Sequence, residues 1–408
     1  MLFETSSNMS EFSTHHEYRT DQLTNYAIGL IEGQKGLELL DKYNISETLF
    51  QPVDILVLFD NLFDRNYDME AIKTASNKLF NILFKTLSAH RRTNYTRNSV
   101  LYLLTKDNSG VKEHLASARK CIRDLNRSVS QETITQLIED FKRVERFTIH
   151  YTVMENVVFP EIERNWEKHQ CLKLMWSFHD DIRRNIKKTL EILIHQPFNL
   201  KAFNETVSKV YFNISTIIFR EEHVLFPILS DTFNEEIFRE MGRQLQDFDL
   251  LYADVKKVLK LKGYAQEKST SFSENLIRLS TGELTPEQAE LIFNHLPVDL
   301  TFVDENNRVK YFSEPGHRIF PRTTGIINRR VQDCHPHESV DVVEKIVESF
   351  RNGEKDDASF WIRMRDKYVL IRYFAVRDKA GNYKGVLEVS QEISGIQSIT
   401  GERRLLDW

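Results

Sequence analysis

The residues that could do chemistry gather in two stretches that end alike. Residues 147–160 read FTIHYTVMENVVFP and residues 219–227 read FREEHVLFP. Each sets imidazole or carboxylate side chains among apolar residues and closes on Phe–Pro. Imidazoles and carboxylates pointing inward from facing helices are how helical bundles hold metal ions. His150 and Glu155 lie in the first stretch, Glu221, Glu222 and His223 in the second, and His114 and His179 on neighbouring helical segments. The plainer alternative is structural. A histidine on an apolar helix face is commonly a core residue with one hydrogen bond, and His179 has Asp180 beside it and Arg183 one turn on, the makings of an ion-pair cluster. No Ser–His–Asp grouping, phosphate-binding loop or Cys–His pair offers a catalytic route, so no enzymatic activity is expected.

The elements that must position these residues are mostly helical. The chain has 408 residues, 41% hydrophobic and 28% charged, enough for two to three globular domains. Glycine and proline are scarce before residue 280. A net charge of −5 without a long basic run excludes a general nucleic-acid surface. The N-terminus has no apolar signal-peptide core, and no apolar run is long enough to span a bilayer. Three scattered cysteines, Cys121, Cys171 and Cys334, form no zinc pattern and point to a reducing, cytoplasmic setting.

In chain order, residues 1–17 read as a disordered polar tail and 18–105 as a helical domain with no chemical constellation. The Asn108–Ser109–Gly110 cluster predicts a break. Helices are then expected over 111–125, 131–166 (bent or divided at Pro160), 170–195, 202–229 and 234–262, so that 106–263 forms a bundle. Residues 264–283 have linker composition. Thr285–Pro286 starts a short helix. Beyond it the period changes to that of strands: a hairpin over 300–312, a helix over 339–350, then strands over 358–364, 368–377 and 383–391, with DKAGN as a hairpin turn and 396–408 as a tail. Trp361, Tyr373 and Phe374 read as sheet-face packing.

Two resemblances follow from these motifs. Residues 111–229 resemble a hemerythrin-like domain, a four-helix bundle that in its family holds a non-haem di-iron centre. Residues 284–395 resemble a PAS domain, an α+β fold with a five-stranded antiparallel sheet; LPVDLTFVDENNRVKYFS, CHPHESV, FWI and IRYFAVRD carry that likeness, and GERRLLDW extends it into the tail. Both resemble a bacterial family that joins an N-terminal helical domain, an HHE cation-binding bundle and a C-terminal PAS domain in one chain. The resemblance implies that His114, His150, His179 and Glu221 are metal ligands. Two positions depart from it: Met154 stands where the second-helix carboxylate belongs, and Ile217 where the fourth-helix histidine belongs. Glu155, one residue past Met154, is the substitute, but it lies about 140° around an ideal α-helix from His150. PAS folds often enclose a cofactor, which makes His317, His335 and His337 haem-ligand candidates. The expected function is a cytosolic sensor. It would detect iron, oxygen or nitric oxide at an altered iron site, or a ligand in the PAS pocket, and signal through an unknown protein partner. A homodimer through the PAS and helical regions is expected. The alternatives are a scaffold with a degenerate metal site and a haem-binding PAS sensor.

Overall fold

The computed structural model describes residues 6–46, 48–89, 95, 100–260, 276–316, 318–334, 337–364 and 366–402, without the side chains of 6–15, 260 and 337–339. The chain divides into two compact units, Met1–Ala265 and Gln266–Trp408.

The first unit is helical: α1 (Ser6–Ile31), α2 (Gly36–Lys42), α3 (Pro52–Asp64), α4 (Met69–Ala89), α5 (Val100–Arg127), α6 (Gln131–Phe147), α7 (Ile149–Val153), α8 (Phe159–Asn165), α9 (Cys171–Ile194), α10 (Leu200–Arg220), α11 (Phe226–Thr232), α12 (Glu235–Leu245) and α13 (Val255–Lys260). Short polar side chains start several of them. Ser130, Asn199 and Asn234 each accept a backbone N–H two or three residues into α6, α10 and α12. The segment read as a disordered tail is, from Ser6, the first half of α1. His16 and Arg19 on that helix bind the carboxylate of Asp54, which also closes the capping box of α3. Local polarity misled because the acceptor lies 38 residues away.

The predicted break at Asn108–Ser109–Gly110 is not a break. These residues sit inside α5, where Leu101, Leu104, Asp107, Asn108, Val111 and Leu115 form one buried stripe. Gly110 is retained for space: a Cβ there would run into the Tyr252 ring. The expected boundary at residues 105/106 therefore falls within a helix, and one continuous hydrophobic core runs from Leu23 to Leu259. The N-terminal helices pack on the bundle through Lys73–Asp181 at 2.6 Å and Phe80–Phe219 edge to face.

Proline shapes the two stretches with matching endings. Pro160 and Pro227 have no N–H to give residue i−4, and their rings crowd that residue's carbonyl. Ahead of each, the helix widens to π-type hydrogen bonding, over Met154–Val158 and over Glu221–Leu225, with Phe159 N–H donating to Met154 O and Phe226 N–H to Glu221 O. An α-helix then resumes, α8 after the first turn and α11 after the second.

In the second unit, β1 (Ile277–Leu279) and β2 (Gly282–Leu284) form a hairpin within the stretch read as linker; residues 261–275 lie outside the described residues. After α14 (Pro286–His295), opened by a Thr285–Gln288 capping box, come β3 (Asp299–Asp304), β4 (Val309–Phe312), α15 (His337–Arg351), β5 (Asp357–Met364), β6 (Lys367–Arg377), β7 (Tyr383–Glu392) and α16 (Ser394–Gln397). The strands form one five-stranded antiparallel sheet in the order β4-β3-β7-β6-β5. Its core joins Val303, Ile371 and Val386 of the sheet to Val343, Val347 and Phe350 of α15. Gly385, at φ +139°, lets β7 pass close to the Val303 carbonyl. Tyr373 is buried and Phe374 half-buried, but Trp361 is 68% exposed on the edge strand, so its expected packing role is not met within this unit.

Candidate functional site

The inward-facing polar side chains of α5, α7, the first π turn, α9 and the second π turn form two linked ion-pair groups. In the first, the buried His150 ring lies between two carboxylates. Nδ1 donates to Asp107 Oδ2 and Nε2 to Glu221 Oε2, each at 3.2 Å. Burial by itself disfavours a charged ring, but Glu221 and Asp107 outweigh it and push the His150 pKa up to about 9. The ring is an imidazolium at neutral pH. Tyr252 N–H donates to Asp107 Oδ1 at 2.7 Å and Asn108 Nδ2 to Glu221 Oε2 at 2.8 Å, which fixes both acceptors. Phe147 stacks on the His150 ring.

In the second group, Arg183 on α9 grips Glu155 through two parallel bonds, Nη1 to Oε1 and Nη2 to Oε2, each 2.8 Å. His179 Nδ1 lies 2.8 Å from Glu155 Oε1. Burial raises the Glu155 pKa, but Arg183 and His179 outweigh it, so the carboxylate stays ionised. Burial lowers the His179 pKa, so this ring is neutral. Tyr151 stacks on it at 4.4 Å between ring centroids. His179 Nε2, Glu221 Oε1, Tyr151 Oη and Asn108 Oδ1 are buried without hydrogen-bond partners.

Glu155 therefore does reach the centre, against the helical arithmetic. The π turn slows the helix's rotation there, and Met154–Val158 is buried on every side. Met154 and Ile217 are fully buried apolar residues. His114 does not join the centre. It lies seven residues past Asp107, about 10 Å further along α5, with Nε2 3.1 Å from the Asp140 carbonyl. Asp107 occupies the α5 position instead. Its signal in the sequence was a polar Asp–Asn pair in phase with Leu104 and Val111. His223 is buried against Phe219, and Glu222 pairs with Lys112 at the surface.

These residues do not fit a dinuclear iron centre. His150, the implied second-helix ligand, is protonated and donates from both nitrogens, so it has no lone pair for a metal. The Arg183 guanidinium holds both oxygens of Glu155. Among the described residues no three His, Cys, Asp or Glu side chains converge as a metal site.

In the second unit, His317 and His335 lie outside the described residues, as does the side chain of His337 at the start of α15. A cavity of about 20 Å³ lies between sheet and helix, lined by Val303, Val331, Val343, Val347, Tyr373 and Glu388 among others. That is room for little more than one water molecule. Among the described residues no helix is long and apolar enough to cross a membrane.

Comparison with known proteins agrees with this division. Residues 99–229 match the hemerythrin HHE cation binding domain, and residues 289–394 match a PAS domain. The chain is similar to the C-terminal domain of a Streptococcus mutans protein, with 37% identity over 31% of this chain and 98% of that one, at a TM-score of 0.30. The PAS domain of a Colwellia psychrerythraea protein is 13% identical over 27% of this chain and 97% of its own, at a TM-score of 0.23. A sensory box sensor histidine kinase from Vibrio cholerae is 12% identical over 26% and 87%, at 0.21. No curated protein matches the chain. With an HHE bundle inside its helical unit and a PAS sheet in its second, the chain belongs to the hemerythrin HHE and PAS domain families, one in each unit.

Proposed function

We propose that this is a non-catalytic regulatory protein whose HHE bundle has exchanged its di-iron centre for a buried ion-pair network, and whose output is contact with other proteins. One observation carries the reading: protein cations stand beside the carboxylates that metal would neutralise, with His150 between Asp107 and Glu221 and Arg183 on Glu155. The bundle then serves as a charged, rigid scaffold, and a signal enters elsewhere, for instance at the small PAS cavity. Iron analysis of protein purified without oxygen tests this. Well under one iron per chain after reconstitution is expected. Close to two per chain, lost on His150→Ala, would overturn it.

A second reading has its own support. Two cations stand among three carboxylates, which leaves one negative charge, and the open atoms include His179 Nε2 and Glu221 Oε1. A single iron or other cation bound there would use both. It predicts one metal per chain, abolished by His179→Ala and unaffected by His114→Ala.

Self-association is the proposed route of output. Strand β5 is a sheet edge carrying exposed Trp361, Phe360 and Ile362. Ala375 N–H donates to Asp356 O, so by the ladder's alternation residues 357, 359, 361 and 363 direct their backbone groups to the open edge. A second copy running antiparallel, with Phe360 on the two-fold axis, sets Asp357 of each copy opposite Arg363 of the other. The charge swaps Asp357→Arg and Arg363→Asp should each give monomer in light scattering, and the double swap should restore dimer. Dimer in both single variants would rule out this edge.

A further inference from the structure

Next to the ion-pair network, but outside it, α10 carries a buried cation that nothing neutralises. Arg220 is 3% exposed. Its Nη2 donates to Ser76 Oγ and Asn77 Oδ1, both at 2.9 Å and both uncharged. Its Nε and Nη1, which carry three N–H groups between them, have no acceptor. No carboxylate among the described residues lies within ion-pair distance of it. The guanidinium is held between phenyl faces instead, with its centre 4.6 Å from the Phe80 ring and 4.2 Å from the Phe178 ring. Lys73 lies over the same Phe178 ring but has its own partners in Asp181 and Glu70.

Burial leaves an arginine two ways to escape the cost of an unpaired charge: lose the proton, or acquire a counter-ion. The first is closed. Burial brings the Arg220 pKa down only to about 9, so the group remains cationic at neutral pH. Aromatic faces offset part of the cost but accept no N–H in the guanidinium plane. The second way has space. Arg220 forms part of the wall of a cavity of about 30 Å³ whose other walls are apolar, from Ile55 and Phe59 on α3, Phe80 on α4, Met175 on α9 and Val224 in the second π turn. A single water needs roughly 10–15 Å³ on this measure, so the space suits a small ion and excludes a metabolite.

We infer that this cavity is a binding site for a small monovalent anion, of halide or nitrate size, held by the unfilled N–H groups of Arg220. The anion completes a neutral buried pair. Its walls come from the N-terminal helices and from the bundle, so occupancy would tie the two parts of this unit together. Phosphate and sulfate are excluded by size and by a second charge that nothing in the cavity balances.

The test is crystallographic first. Crystals of the full chain soaked in sodium bromide should show an anomalous peak within hydrogen-bonding distance of Arg220 Nε or Nη1, inside the cavity. Water-like density without anomalous signal would overturn the assignment. In solution, bromide or nitrate should raise Tm above sulfate at fixed ionic strength, and Arg220→Met should abolish that difference. An unchanged response in a folded Arg220→Met would equally overturn it. Should that variant fail to fold, the bromide peak in the wild-type crystal decides.

Discussion

Raising the pH above neutrality should unfold the bundle from its centre, through one ring. His150 is protonated in the folded state up to about pH 9, against an ordinary histidine value of 6.5. Because the folded pKa is raised, the stabilisation is fully present below pH 6.5, where both states carry the proton. It is lost progressively as pH climbs from 6.5 through 9. The difference between the two values amounts to on the order of 3 kcal/mol, at about 1.4 kcal/mol per tenfold change in proton affinity. The ring is wholly buried, so solvent does not screen its two carboxylates. Two assays read this. Ring nitrogen shifts in histidine-labelled protein should place one histidine's titration near 9. Urea midpoints measured between pH 6 and 9.5 should fall for the wild type and stay flatter for His150→Gln. A ring that titrates near 6.5, or equal slopes in the two proteins, would refute the reasoning. On the acid side the sign reverses. The His179 pKa is lowered by burial, so its contribution is present above 6.5 and lost as pH falls below that value.

Two further perturbations test the neighbouring contacts. Arg183→Met and Glu155→Gln should each cost about 3–5 kcal/mol by stranding a buried partner, with Arg183→Met at the lower end because that side chain is 30% exposed, and the double variant should cost much less than the sum in a urea-denaturation cycle. Gly110→Ala should destabilise by about 1–3 kcal/mol despite better helix propensity, since the new methyl meets the Tyr252 ring; Tyr252→Ala should recover part of the loss by thermal unfolding.

Strand and helix periods, the Thr285 cap and the DKAGN turn made the PAS half and its five strands legible in the sequence. The bundle helices were also legible, from their spacing and their Phe–Pro endings. What the sequence hid was non-local. Asn108–Ser109–Gly110 looks like a loop until Glu221 and Tyr252 arrive from more than a hundred residues away to bond and fill it. The first helix's polar tip looks unstructured until Asp54 accepts from it. At the site, His150, His179, Glu155 and Glu221 were readable as an inward set. Their conversion from ligands to ion pairs was not, because it depends on Asp107 and Arg183 reaching into the same space from α5 and α9. Glu155 was placed on the wrong side because the arithmetic assumed an unbroken α-helix.

The π turns also bear on insertions and deletions. Each is a helix with one residue more than its length requires, held in place by a proline. Deleting a residue between 154 and 158 would let the turn relax to α-helix, so far as Pro160 permits. All that follows would then rotate by roughly 100° relative to His150. The same holds between 221 and 225, relative to Arg220. These two five-residue windows should tolerate neither loss nor gain of a residue. In any comparison across relatives, a ligand frame counted at fixed spacing through them can be misread by one position.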